Sequence, residues 1–222
     1  MTDNVISNNI VTICGTLENK PRFSHEMYGE AFYNGTLIVP RLSDACDYLP
    51  ITISERLIIG VNMEAGTELI LEGQLRSYNK YVEGSNKLIL TVFTRNISLP
   101  DGEIKNPNQI YLDGYICKEP VYRTTPFGRE ITDMLIAVNR PYNKSDYIPS
   151  IAWGRNARYS EKLSVGDRIK VWGRIQSRDY QKRISEEETI TRTAYEVSIS
   201  KMEVVDKTTI KDVSDYCGDE DE

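Results

Sequence analysis

The chain matches itself. Slid by 99 residues, Gly15 falls on Gly114, Pro21 on Pro120, Gly29 on Gly128, Arg41 on Arg140, and Asp47-Tyr48-x-Pro50 on Asp146-Tyr147-x-Pro149, with no gap between Asn9 and Arg56. One more residue of offset lays GTELILEGQLRS (66–77) on GDRIKVWGRIQS (166–177), matching both glycines and the closing serine. The 222 residues are therefore two copies of one unit of about 100, a size that can enclose its own core. A hydrophobic content of 40% is enough to fill two such cores, which excludes a chain disordered throughout.

Within each copy the signals are those of strands: alternation in TELILEGQL and DRIKVWGRI, enrichment in β-branched and aromatic residues, and frequent Gly or Pro turns. The second copy reads as strands near 109–117, 129–139, 147–154, 168–178 and 192–204, with one short helix at 156–163, NARYSEKL. Five strands with a helix between the third and fourth is the plan of the OB-fold, a small, partly open barrel. The first copy follows the same plan, with a weaker helix signal in SERLIIGVNMEAG. The expected architecture is all-β: two tandem OB-fold barrels over 1–105 and 106–205, joined by LPDGEIKNPN, then an acidic tail over 206–222 expected to be disordered.

Several function classes drop out. No apolar run approaches the roughly 18 residues of a membrane helix, and MTDNVISNN lacks the basic and apolar regions of a signal peptide, so a cytoplasmic location without membrane contact is expected. Cys14, Cys46, Cys117 and Cys217 are scattered and suggest neither a zinc site nor a disulfide framework. There is no GxxxxGK[ST] loop and no HExxH, and His25, in the SHEMYGE hairpin, has no evident acidic or nucleophilic partner. Glu186, Glu187 and Glu188 are adjacent, so their side chains point apart rather than converging on a cation. The chain is expected to bind rather than catalyse, with no catalytic residue, metal or cofactor.

Charge says where it would bind. The formal net charge is −6, which taken alone argues against nucleic acid. By segment, residues 1–105 hold 9 Lys and Arg against 13 Asp and Glu, a net −4; residues 106–205 hold 16 against 13, a net +3; residues 206–222 hold 2 against 7, a net −5. Inside the basic segment, AVNRPYNKSDYIPSIAWG (137–154) interleaves Tyr142, Tyr147 and Trp153 with Arg140 and Lys144. Rings set among cations offer flat faces for something planar and negatively charged.

The runs NQIYLDGYICKEPVYRTTPFGREITDMLIAVNRPY, IAWGRNAR, GDRIKVWGRIQSRDY and TAYEVSISKMEVV, in that order over about 100 residues, closely resemble bacterial single-stranded DNA-binding proteins. The resemblance implies sequence-tolerant binding and protection of single-stranded DNA in replication, recombination or repair. Base stacking would fall to Tyr142, Tyr147, Trp153 and Tyr180, and backbone contacts to Arg123, Arg129, Arg140, Arg155, Arg174, Arg178, Lys182 and Arg183. Phe127 would sit at a hairpin tip, against DNA or a neighbouring subunit, and Trp172 is read as packing. The stretch RDYQKRISEEETITR is expected to form a long flexible hairpin.

The first copy departs from this pattern. It has Ser43 at the place of Tyr142 and Ser54 at that of Trp153; only Tyr48 agrees, with Tyr147, while Tyr78 and Tyr81 stand near the place of Tyr180. Fewer rings and a net −4 point to a degenerate copy that serves structure or pairing and binds DNA weakly or not at all. One-barrel members of the family work as tetramers, so a two-barrel chain implies a homodimer presenting four barrels, associated with the nucleoid. The tail ends DEDE without the family's hydrophobic tip, leaving Tyr216 as an apolar contact for replication or repair proteins and its charge as a competitor for the basic groove. Two competing readings are an OB-fold adaptor that holds proteins of a replication or restart complex, and an RNA-binding OB module, since nothing here reads a 2′-hydroxyl.

Overall fold

The structure, a computed structural model, describes residues 8–82, 85–102, 104–183 and 189–205. The first copy comprises β1 (Asn9–Leu17), β2 (Arg22–Met27), β3 (Glu30–Pro40), β4 (Cys46–Ser54), α1 (Glu55–Ile58), β5 (Glu68–Val82) and β6 (Ser85–Ser98). The second comprises β7 (Asn108–Thr124), β8 (Glu130–Arg140), β9 (Lys144–Trp153), α2 (Arg155–Ser160), β10 (Arg168–Arg183) and β11 (Thr189–Val205). Each closes into a barrel. β1 pairs with β3 and β5, β3 with β4, β5 with β6, and a short parallel contact, Ile51 with Val92, joins β4 to β6. The second copy repeats this through β7, β8, β9, β11 and β10, with Val197 beside Ser150 as its parallel contact.

Alternation decides what fills the barrels. On β4 and β9 every second residue, Leu49, Ile51 and Ile53 or Ile148, Ser150 and Ala152, is buried inward, and the residues between face outward. The extended strands are longer than the sequence reading. β7 runs on to Thr124 instead of 117 because its far end pairs with β8 across the Thr125–Arg129 turn, with Pro120 accommodated where the register shifts between Lys118 and Val121. In the first copy the same path is broken into β1 and β2. β10 and β11 project as a hairpin paired out to Arg183 and Thr189. The helix expected over 156–163 is Arg155–Ser160, because after it the chain tightens, the amides of Lys162 and Leu163 donating three residues back to the carbonyls of Tyr159 and Ser160. The acidic segment 206–222 lies outside the described residues, as does the Glu186–Glu188 tip.

The aligned glycines Gly73 and Gly173 each sit at a register shift, where a Cβ would come 2.1 Å from the Phe93 carbonyl oxygen and 2.2 Å from that of Ser198. No side chain fits against backbone that close, so both copies keep glycine.

β1 and β7 pair antiparallel with Val11 opposite Ile110. Those two residues are repeat equivalents, so the contact is a local two-fold axis within one chain. Side chains obey it too. Asn9 clasps the backbone of Leu75 at 2.8 and 2.9 Å, and Asn108 that of Ile175 at 2.6 and 2.9 Å. Asp47 on β4 accepts the Ser177 amide at 2.8 Å, and Asp146 on β9 accepts the Ser77 amide at 2.7 Å. The serines return the contact, Ser177 Oγ accepting the Tyr48 amide at 3.0 Å and Ser77 Oγ the Tyr147 amide at 2.7 Å. The Asp-Tyr-x-Pro run of the repeat is thus the seam between copies: each copy's aspartate reaches into the other's long hairpin.

Candidate nucleic-acid interface

In the second copy, the outward residues of β10 in sequence are Arg174, Gln176, Arg178 and Tyr180, opposite Ser198, Glu196, Ala194 and Arg192 of β11. Trp153, at the outward end of β9, donates its indole N–H to Ser198 Oγ at 3.1 Å, which fixes the ring on this same face. Arg123 and Asp133 join from β7 and β8, paired at 2.5 and 3.2 Å. The face therefore brings together Arg123, Trp153, Arg174, Arg178 and Tyr180. Its cations are balanced in part: Glu196 accepts from Gln176 at 2.6 Å and lies 3.7 Å from Arg178, and Arg174 reaches Asp47 at 3.1 Å. Hydrogen bonding to Asp133 raises the pKa of Arg123, while burial lowers that of Arg174. Trp172 lies on the β7 side instead, its ring 5.1 Å from Tyr111 and under the Lys201 ammonium at 4.4 Å.

Other sequence-predicted residues sit elsewhere. Tyr142 occupies the β8–β9 turn with a left-handed φ of 64° and is 94% exposed. The length of β9, about 30 Å for its ten residues, separates that turn from Trp153, so the two rings do not share one pocket. Half-exposed Tyr147 is bonded through its amide to Ser77 of the first copy, and Arg140 lies 3.4 Å from buried Asp146 and lines a groove on the first copy. Expected on the second copy's surface, Arg140 is carried across by the seam. Arg129 follows the β7–β8 turn, whose tip holds Phe127, 91% exposed. Arg155 is exposed at the start of α2. Lys182 and Arg183 continue β10, but their side chains lie outside the described residues.

The first copy's matching face carries residues that sequence reading passed over. His25 on β2 stacks on Phe32 at 5.1 Å with the rings 13° apart, Phe32 packs against Phe93 at 5.8 Å, and the Arg76 guanidinium lies 5.9 Å over Phe93. The outward residues of β5 are Gln74, Arg76, Tyr78 and Lys80, aligned with Arg174, Gln176, Arg178 and Tyr180. The two hairpins thus exchange their side chains position by position: glutamine for arginine and arginine for glutamine, then tyrosine for arginine and lysine for tyrosine. The alternation in LTVFTR is the signal that could have found Phe93, but its β6 position aligns with Ser198, which hid it from a ring-by-ring comparison of the copies.

Residues 107–205 match the model of the single-strand binding protein family. The chain is similar to Single-stranded DNA-binding protein 1 of Staphylococcus aureus (strain COL), 36% identical over 81 residues covering 33% of this chain and 48% of that protein. It is also similar to Single-stranded DNA-binding protein A of Bacillus subtilis (strain 168), 29% identical over 96 residues, 40% of this chain and 56% of that one. The chain thus spans about half the length of these curated relatives. Over nearly its whole length it shares a fold with the single-stranded DNA binding protein from Thermus aquaticus, at a TM-score of 0.72 and 22% identity, covering 90% of this chain and 93% of that one. The dimeric N-terminal domain of PriB protein from Thermoanaerobacter tencongensis is 55% identical, covering 43% of this chain and all of that one, at a TM-score of 0.39. The family match is thus confined to residues 107–205, the second copy of a chain that builds the OB-fold twice.

Proposed function

We propose that this chain binds single-stranded DNA without sequence preference and coats exposed strands during replication, recombination or repair. The observation that carries this reading is the second copy's face, where Trp153 and Tyr180 flank Arg174 and Arg178 along one continuous strip. Every base has a π-face to lay on a ring, so stacking supplies affinity without reading sequence, while arginines take the phosphates. Residues 106–205 carry most of this binding, with Tyr142, Tyr147, Trp153 and Tyr180 as stacking groups and the family-position cations as backbone contacts. The work is binding and not catalysis, and its place is the cytoplasm at the nucleoid. We also infer a homodimer, four barrels in all, as the resemblance implies; sedimentation of the full chain reads it directly.

The test is a titration of the intact chain with poly-dT at several salt concentrations, followed by tryptophan fluorescence. Both tryptophans, Trp153 and Trp172, are in the second copy, and Trp172 lies on the β7 side, so quenching reports on Trp153. Quenching with a clear salt slope, reduced in Trp153→Ala and Tyr180→Ala, is expected. No binding at low salt would remove the reading, and equal or tighter binding of matched RNA would redirect it to RNA.

A further inference from the structure

Tyr122, Glu130 and Arg158 finish one corner of the second barrel. The Tyr122 hydroxyl donates to Glu130 at 2.7 Å, and Arg158 lies 3.3 Å from the same carboxylate. Beside them Thr132, fully buried, donates to the Ala157 carbonyl of α2 at 2.8 Å, so the helix covers this corner. In the first copy every member of that polar cluster is apolar. Phe23 stands at the place of Tyr122 and Ala31 at that of Glu130, and counting on from the aligned Arg56 and Arg155, Ile59 takes the place of Arg158. Phe23 is 61% exposed and Ile59 79%. Phe23 meets Tyr33, which replaces Thr132, edge to face at 6.1 Å. The cover is short as well: α1 is four residues long with none buried, tied to this corner by Glu55, which accepts the Ala31 amide at 3.1 Å. A hydrogen-bonded cluster in one copy and exposed apolar groups at the same corner of the other mark the first copy's corner as a contact surface.

We propose that this corner binds an extended segment of another protein, added as a strand to the edge of β2, with an apolar side chain on Phe23 and Ile59 and a basic one beside Glu26. The first support is the edge itself. β2 stands at the end of the strand order, pairs with β3 alone among the described strands and has all six residues exposed, so its outer backbone groups are open to another strand. The second is which side chains the added strand would meet. After the register shift at Ser24, Phe23 and Glu26 share the face turned away from the first copy's groove, while Ser24, His25 and Met27 line that groove. An apolar site and a carboxylate therefore lie on one side. The third is the sign of the charge. Glu26 lies opposite Ala31, and Glu55 is bonded to that same residue, whereas Arg56, the one cation of α1, is taken up by Glu30. A second copy of this chain would bring the same carboxylates to the contact without cations to match them, and a nucleic-acid strand would be repelled by them. The occupant that fits is a protein segment with lysine or arginine next to its apolar residues.

The corner lies apart from the strip that holds Trp153, so this surface and strand binding stand or fall separately. Random peptides displayed on phage are selected on the full chain, and a selected peptide is synthesised and titrated against it, with hydrogen exchange of the β2 amides and poly-dT quenching of Trp153 followed in parallel. The expected peptides set basic residues beside apolar ones, and their binding slows exchange within Arg22–Met27 while quenching stays as it is without peptide. Ile59→Arg, which writes the second copy's residue into the first, is expected to weaken the peptide by about tenfold. Phe23→Tyr, Ala31→Glu and Ile59→Arg together rebuild the whole polar cluster, an arrangement the second copy already folds around, and should abolish peptide binding with quenching intact. A peptide that binds this triple variant as tightly as the parent, one that leaves β2 exchange unchanged, an acid-rich consensus, or no selected peptide at all overturns the proposal. Self-association of the parent that the triple variant loses would give the corner to a second copy and overturn it as well, and quenching lost in the triple variant would give it to the nucleic acid.

Discussion

The two copies share a scaffold and differ in what they hang on it. Inside the barrels and along the seam, equivalent positions hold equivalent chemistry: Gly73 with Gly173, Asn9 with Asn108, Asp47 with Asp146, Ser77 with Ser177. On the outward faces the correspondence breaks. Trp153 stands where the first copy has Ser54, and Ser198 where it has Phe93, so each face has its aromatic platform on a different strand. Side chains that answer to neighbouring backbone are held in both halves, whereas a face that answers to a flexible polymer can be assembled in more than one way.

The largest effects should come from breaking what the copies share. Asp47→Ala and Asp146→Ala each leave a backbone amide and two arginines without their acceptor in a buried setting, and each should cost about 3–5 kcal/mol in denaturant unfolding. If the seam is symmetric the two costs agree to within about 1 kcal/mol; a large gap would show that one copy dominates it. Next, Gly73→Ala and Gly173→Ala force backbone apart at the register shifts and should each cost about 3 kcal/mol, and a tolerated change at either would show that copy to be the looser barrel. Third come the faces, where Trp153→Ala should lower affinity for poly-dT by about 1–3 kcal/mol, and Ser54→Ala, at the matching place, should change it little. Fourth, Glu196→Gln removes an acid from beside Arg178 and should steepen the salt dependence by a fraction of the ~0.7 slope that one phosphate contributes, whereas Thr91→Glu brings an acid into the first copy's groove and should flatten it.

The smallest effect is one of pH. Arg41 holds Asp47 at 2.5 and 2.9 Å, while the arginines beside Asp146 remain at 3.4 Å. Burial therefore prevails at Asp146 and raises its carboxyl pKa above the ordinary value. The folded chain holds this proton more tightly than the unfolded one, so the contribution is fully present below about pH 3.9 and is lost as pH rises through the raised value. Unfolding of Asp146→Asn across that window should give a flatter profile than the parent; a steeper one would mean that the ion pairs dominate.

Much of the architecture could be read from sequence because the repeat and the alternation are local signals. Strand identity and the helix between the third and fourth strands follow from spacing, while Trp153 and Tyr180 are named by the resemblance and not by periodicity. What escaped was long-range. Nothing near Arg140 in sequence says that the two-fold at Val11 and Ile110 carries it to the other copy's groove. Nothing near His25 says that Phe32 lies beneath it. Net charge is silent in the same way: −4 summed over the first copy says nothing about where its acids sit, and among the described residues that line its groove there is none. Comparing copies position by position also assumed that a ring must be replaced by a ring at the same place, when Phe93 and Trp153 sit on different strands.

The pairing of β1 with β7 has one more consequence. Joined by a linker of about ten residues, the two halves meet at an effective concentration on the order of millimolar whatever the concentration of the chain. Dilution cannot part them, as it parts two separate one-barrel chains. Nor is either half bound to resemble the other: in a dimer of identical chains every substitution arrives twice, whereas here Gln74 and Arg174, or Lys80 and Tyr180, differ across an axis that the backbone still respects.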